Sequence, residues 1–200
     1  MTKEQDKLLV TRYPMLYGQR NKDMTETCMC WGFECGPGWF DLINDLSAGL
    51  EAINRRIEKD YKKRKLFLNI LFFTSLVCIV MQCIIGFMRI QGVEISWIYQ
   101  FIFSSIGFPL LICSYFPKSR LRFYPIEATQ VKEKFATLRF YTNGIPLKYE
   151  KEHDALIERA ECRSAETCEQ CGQPGRERGK GWFYTACDEC EEKRQKGTSK

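Results

Sequence analysis

Histidine is all but missing from this 200-residue sequence, with His153 the single one. General acid–base and nucleophilic catalysis rely on histidine more than on any other side chain, and no spacing fixes a nucleophile or carboxylate beside His153. The chain therefore offers no catalytic constellation, and a non-enzymatic protein is expected. His153 stands on a polar stretch at the start of an expected helix. A surface or capping role is the plain expectation there, with metal ligation as the alternative. No secretory leader is expected either, since Met1 to Asp6 is polar and no apolar h-region follows. Eleven cysteines would otherwise suit a secreted disulfide scaffold. Without that leader, reduced thiols and metal ligation are the expected use.

A strong basic excess is also absent. Formal net charge is +5, and four thiolates around one dication would contribute about −2. From Thr167 to Lys200, seven Lys or Arg face six Asp or Glu. That balance lacks the basic footprint of a nucleic-acid binder, although Arg176, Arg178 and Lys180 beside Trp182, Phe183 and Tyr184 keep such binding as an alternative.

What the chain has in abundance is apolar sequence in its middle. Residues 66–88 read LFLNILFFTSLVCIVMQCIIGFM without a charge, enough as a helix to span about 35 Å against a hydrocarbon core of about 30 Å. A second charge-free run, ISWIYQFIFSSIGFPLLICSYF at 95–116, carries Trp97, Tyr99 and Tyr115 near its ends, as interfacial aromatics would be placed. Two helices apolar on every face need more protein to bury them than one small domain supplies, so lipid is the expected partner. Arg55, Arg56, Lys59, Lys62, Lys63, Arg64 and Lys65 precede the first run, and Lys118, Arg120 and Arg122 follow the second. The connecting RIQGVE holds Arg89 as its cation. Both termini are therefore expected on the cytoplasmic side, where thiols also stay reduced. No Asp, Glu, Lys, Arg or His lies within either run, so proton relay by buried charge has no candidate there. Asn69, Gln82 and Gln100 are polar groups that lipid cannot satisfy. They are expected to pair across helices of a homo-oligomer or within the hairpin, or to snorkel to the interface. Pro109 is expected to kink the second helix.

Ahead of the first run, Asp41 can cap a helix on which Leu42, Leu46, Leu50, Ile53, Ile57 and Tyr61 form one apolar stripe. That stripe suits core packing, with a membrane-surface helix as the alternative. Lys134 to Tyr141 alternates as a strand does, Asn143-Gly144 supplies a turn, and residues 151–163 are helical in pattern, with Leu156, Ile157 and Ala160 facing one way.

The sharpest motif is Cys168-Glu-Gln-Cys171 and Cys187-Asp-Glu-Cys190, separated by fifteen residues. Two such pairs can set four sulfurs tetrahedrally around Zn²⁺, and a site filled by four protein ligands is structural rather than catalytic. A thioredoxin-type dithiol is the competing reading. Cys28, Cys30 and Cys35 form a weaker pattern: either a second metal site completed by Cys162 or His153, or buried thiols in an aromatic cluster of Trp31, Phe33, Trp39 and Phe40.

Taken together, TETCMCWGFECGPGWFDLI, QVKEKFATLRFY, IERAECRSAETCEQCGQPG and GWFYTACDEC resemble a family of small, uncharacterised phage and prophage proteins. The resemblance covers about two thirds of the chain. It implies that Cys168, Cys171, Cys187 and Cys190 are zinc ligands, and it implies no activity. Residues 66–122 stand out as an insertion between the helix and the VKEKF segment.

The expected fold is α+β, a small soluble domain with a zinc-ribbon-like four-cysteine module, interrupted by a two-helix transmembrane hairpin. Its expected segments are a cytoplasmic N-terminal segment at 1–65, spans at 66–88 and 95–116, an external loop at 89–94, a cytoplasmic strand and helix at 117–163, and the zinc module at 164–200. The expected role is a membrane-anchored accessory protein whose zinc domain binds another protein at the cytoplasmic face. The rivals are a membrane-disrupting effector, holin-like or defence-associated, and a nucleic-acid-binding zinc ribbon.

Overall fold

The computed structural model describes residues 1–92, residues 96, 98, 99, 101, 105, 107, 109, 111 and 112, and residues 121–198. The chain is mixed helix and sheet and forms two compact units: Met1–Arg56 with Pro125–Lys200, and the intervening Ile57–Tyr124. The intervening unit begins nine residues before the segment 66–122 and ends two residues after it.

The first unit opens with α1 (Lys3–Arg12), started by a capping box in which Thr2 and Gln5 satisfy each other's backbone N–H groups. A two-residue strand, β1 (Phe33–Glu34), follows. A 3₁₀ turn at Pro37–Trp39 then leads directly into α2 (Phe40–Ile90). Asp41 is therefore not the N-cap; it sits in the first turn of α2, where a carboxylate favours the positive end of the helix dipole. Leu42, Leu46, Leu50 and Ile53 are buried, so the stripe serves core packing. Tyr17 joins this core, and its phenol reaches Ser47 Oγ at 2.6 Å.

β2 (Ala128–Lys134) and β3 (Thr137–Thr142) are antiparallel, and β1 pairs with β2 in parallel, giving the order β1-β2-β3. The expected single strand from Lys134 to Tyr141 is thus a tight hairpin, with Phe135 and Ala136 both at positive φ (53° and 61°). Such φ values belong to a type I′ turn, which asparagine and glycine adopt more readily. Two side-chain hydrogen bonds hold Ala136 there: its N–H donates to Glu133 Oε1 within the hairpin at 2.7 Å, and its carbonyl accepts from the distant Thr185 Oγ1 at 2.6 Å. Alternation misled because Ala136 is buried like Leu138 and Phe140, while Phe135 is exposed like Tyr141.

The outer edge of β3 would expose unpaired backbone groups. α3 (Glu150–Ala165) covers it with side chains. Leu138 N–H donates to Ser164 Oγ at 2.8 Å, Phe140 N–H donates to Glu161 Oε1 at 3.4 Å, and His153 Nε2 meets Thr142 Oγ1 at 3.0 Å. His153 is 3% exposed, so the surface role expected for it is corrected. Its helix enters the core earlier than its polar neighbours imply, and it closes a strand edge.

In the second unit, α2 continues through the first apolar run to Ile90, two residues into the expected loop. Gly92, at φ 85°, follows its end. Among the described residues α2 is the one helix long and apolar enough to cross a membrane. Of its most apolar stretch only 11% is buried, with Phe67, Phe73, Val77 and Phe87 exposed. A core helix of a soluble protein would be mostly buried. Asn69 and Gln82 are half-buried on this helix. The expected second span lies largely outside the described residues, and Trp97, Gln100 and Tyr115 fall there. A hairpin of two long apolar helices is therefore not what the described residues form. Gly107 is described and buried, and a Cβ added to it would lie 2.9 Å from Cys78 Cβ.

Candidate metal centre

The C-terminal part of the first unit is a small hairpin, β4 (Arg176–Arg178) with β5 (Tyr184–Ala186), followed by α4 (Asp188–Thr198). The first cysteine pair occupies the turn before β4. Cys168 N–H donates to the Gln173 carbonyl at 2.8 Å, Gly172 N–H donates to the Cys168 carbonyl at 2.9 Å, and Gly172 takes a φ of 77° to let the turn close. The second pair straddles the start of α4, where Cys190 N–H donates to Cys187 Sγ at 3.4 Å.

The four sulfurs of Cys168, Cys171, Cys187 and Cys190 all lie within 4.8 Å of one another, and Cys171 and Cys187 are 3.6 Å apart. Four thiolates at about 2.3 Å from one tetrahedral ion would be about 3.8 Å apart, so the donor set fits a metal ion. The second pair does follow a strand at a helix N-terminus, as a redox dithiol would. Its sulfurs, however, converge on those of the first pair, as a shared ion requires and an isolated dithiol does not.

The electrostatics point the same way. Burial alone would raise the Cys168 thiol, but N–H groups of Cys187, Cys171 and Gln170 outweigh it and bring its pKa down to about 7. Burial, reinforced by the sulfurs of Cys187, Cys171 and Cys168, pushes Cys190 up to about 12. Donation from Gln173 pulls Cys171 down, yet burial and the neighbouring sulfurs leave it raised. One thiolate forms readily and then opposes the others; a bound cation removes that opposition.

The knuckle is gripped from two sides. Gly38 N–H donates to the Glu169 carbonyl at 2.8 Å, Gly36 N–H to Glu169 Oε1 at 2.7 Å, and the Trp39 indole to the Thr167 carbonyl at 2.8 Å. The backbones touch so closely that a Cβ on Gly38 would sit 2.4 Å from the Cys168 carbonyl oxygen and 2.4 Å from Gly172 N. Opposite, Thr185 takes Glu169 N–H on its carbonyl at 3.0 Å and donates its hydroxyl to Ala136. Gly36, Gly38, Trp39, Glu169 and Thr185 thus hold the cysteine turn in place, and spacing alone did not reveal them. The glycines of the CGPGW motif were the available signal.

Cys28, Cys30 and Cys35 do not assemble a second centre. Among the described residues the four sulfurs are the one group of three or more metal-binding side chains close enough to share an ion. Cys28 is exposed, Cys30 Sγ points to the Thr27 carbonyl at 3.1 Å, and Cys35 is buried, its thiol pushed up to about 12 by that burial. The expected aromatic cluster is corrected as well, since Trp39 is fully buried but Trp31 is 65% exposed. Between the cysteine pairs, Arg176 and Arg178 both bind the Asp188 carboxylate. Beside Cys190 a cavity of about 410 Å³ opens between Glu169, Tyr184, Ala186 and Arg194. The chain matches no family model, no curated protein and no solved structure.

Proposed function

We propose that this chain is a non-enzymatic, membrane-anchored accessory protein of phage or prophage type, whose zinc-stabilised domain binds another protein at the cytoplasmic face. The observation that carries the reading is a division of labour along one chain. A unit built from both ends closes around four converging sulfurs, and an exposed apolar helix leaves from its middle. Zn²⁺ is the ion of choice because an all-thiolate tetrahedral set in a reducing compartment suits it, and because a closed four-ligand site serves folding. The affinity of such sites, about 10–16 kcal/mol, exceeds what this short module gains by burial.

Two spans with both termini cytoplasmic follow from the cations that flank the apolar runs. The close approach of Gly107 to Cys78 supports a second run returning along the first, because small residues let helices meet in lipid. The chain's one histidine is engaged at the β3 edge, and the cavity beside Cys190, with exposed Trp182 nearby in sequence, offers a surface for a partner. Arg176 and Arg178 are drawn to Asp188, which weakens the nucleic-acid alternative.

The test uses the full chain expressed in a bacterial host. It should stay in the membrane pellet through carbonate extraction, carry about one zinc per chain, and lose that zinc in Cys168→Ser and Cys187→Ser. Zinc content unchanged in both variants removes the metal claim, and a compact monomer in the detergent-free aqueous fraction removes the anchor. Loss of membrane potential on expression, abolished by Gln82→Leu, would favour the membrane-disrupting effector instead.

A further inference from the structure

Positive charge is unevenly placed along this chain. Arg55 to Lys65 holds seven cations and two anions, and its excess of five equals the formal net charge of the whole protein, +5. Everything outside those eleven residues is therefore balanced. Within the second unit, Lys59, Lys62, Lys63, Arg64 and Lys65 all stand on α2, and all are exposed. Successive residues advance about 100° around a helix, so residues 62–65 surround the axis instead of forming one face. They make a collar.

The collar abuts the apolar part of the same helix. Leu66 follows Lys65 directly, and a rise of about 1.5 Å per residue places the four cations within about 6 Å of it along the axis. Aromatic side chains accompany them: Phe123 packs on Tyr61 with ring centroids 5.7 Å apart, and Tyr124 is 62% exposed. That contact brings exposed Arg122 to the same end of the helix. The internal partners of these cations are weak. Lys62 Nζ meets Glu58 at 2.6 Å in a pair open to solvent, and Lys65 Nζ lies 5.9 Å over the Tyr61 ring. Solvent-exposed pairs of this kind exchange readily for a better anion. Among the described residues Lys63 and Arg64 form no ion pair.

We propose that this collar is a binding site for acidic phospholipid headgroups, taking several phosphodiester anions around Lys62, Lys63, Arg64 and Lys65, with Tyr61 and Tyr124 at headgroup depth. The proposal rests on α2 crossing a bilayer. Phosphodiesters on a lipid surface match both requirements of the collar, an anion for each direction around the helix and an apolar continuation on one side only. A free phosphate ion meets only the first. A nucleic acid would need a basic surface clear of the membrane, and the rest of the chain is neutral.

The experiment reconstitutes the full-length protein in vesicles of phosphatidylcholine mixed with phosphatidylglycerol. The lipid retained after gentle detergent extraction is then measured by mass spectrometry, with membrane integration checked separately by carbonate extraction. Phosphatidylglycerol should be enriched by about fivefold or more, the factor expected for one cation engaged at an acidic surface, and the enrichment should fall as salt rises. Replacing Lys62, Lys63, Arg64 and Lys65 together by Gln should abolish the enrichment while zinc content and membrane integration persist. Replacing the three lysines by Arg should preserve it. No enrichment in an integrated wild-type protein, or full enrichment in the Gln variant, overturns the proposal. Displacement of the lipid by millimolar inorganic phosphate would reassign the collar to free phosphate, and displacement by RNA would reassign it to nucleic acid; either result also overturns it. A wild-type protein that fails to integrate refutes the membrane reading itself, a result distinct from integration without lipid preference.

Discussion

The side chain of Asn54 binds both backbone groups of Ile126, donating from Nδ2 to its carbonyl at 2.9 Å and accepting its N–H on Oδ1 at 2.7 Å, although 72 residues separate them. Both residues are fully buried. A side-chain amide alone carries a donor and an acceptor at this spacing, so Asn54 substitutes for a strand partner where the chain re-enters the first unit. Asn54→Leu should leave two buried backbone groups unpaired and cost about 2–4 kcal/mol. Denaturant unfolding of the purified protein, followed at Trp39, measures this. A loss below about 0.5 kcal/mol would show that water replaces the amide without difficulty.

The same clamp brings together the points where the chain leaves and re-enters the first unit. Replacing residues 57–124 by a short Gly/Ser linker between Arg56 and Pro125 should yield a water-soluble monomer that keeps its metal, because the core residues of the first unit lie outside the deletion. Gel filtration and metal analysis decide the outcome, and an aggregated, metal-free product would refute the independence of the unit.

Gly38 lies against backbone that cannot yield. A methyl group there would meet the Cys168 carbonyl oxygen and Gly172 N at 2.4 Å, and Cys171 N at 2.6 Å. Gly38→Ala should therefore cost more than about 2 kcal/mol and weaken metal retention against a chelator. Gly144→Ala, with open space around it, serves as the neutral control. Equal chelator resistance of the two variants would mean that the N-terminal loop does not support the knuckle.

Glu169 supplies a pH dependence. Burial raises its carboxyl above the ordinary range, and donation from Gly36 N–H only partly opposes this. A carboxyl with a raised folded-state pKa is bound by the proton more tightly when folded. Its ionisation therefore works against folding at neutral pH, and that penalty disappears as pH falls below the ordinary carboxylate range. Glu169→Gln keeps an acceptor for Gly36 and should be the more stable protein at pH 7, the difference vanishing toward pH 4. Thermal unfolding across that window tests the sign, and a Gln variant less stable at pH 7 would contradict it.

Features that depend on spacing were legible from the residues. The two CxxC pairs converge in space as their separation implies, since a cysteine pair three apart can close only onto a shared centre or itself. The stripe from Leu42 to Ile53 is buried because the 3.6-residue repeat leaves it no other face. Features that depend on a distant neighbour were hidden. Phe135-Ala136 carries no turn signal, and the Ala136 carbonyl is held by Thr185, 49 residues away. His153 sits among charged residues, yet the edge of β3 draws it inward. The CGPGW glycines matter through their approach to Cys168 and Glu169, which are 130 or more residues away along the chain.

Local order and charge placement determine a great deal here. An apolar helix of membrane length, a cationic stretch at its foot and four cysteines in metal-binding rhythm are properties of short segments, where each residue's neighbours are its own flanks. Closure of the first unit is of another kind. It depends on Asn54 meeting Ile126, Gly38 meeting Cys168 and Ser164 meeting Leu138, and such pairings are chosen by shape and unsatisfied hydrogen bonds among segments that no periodicity links.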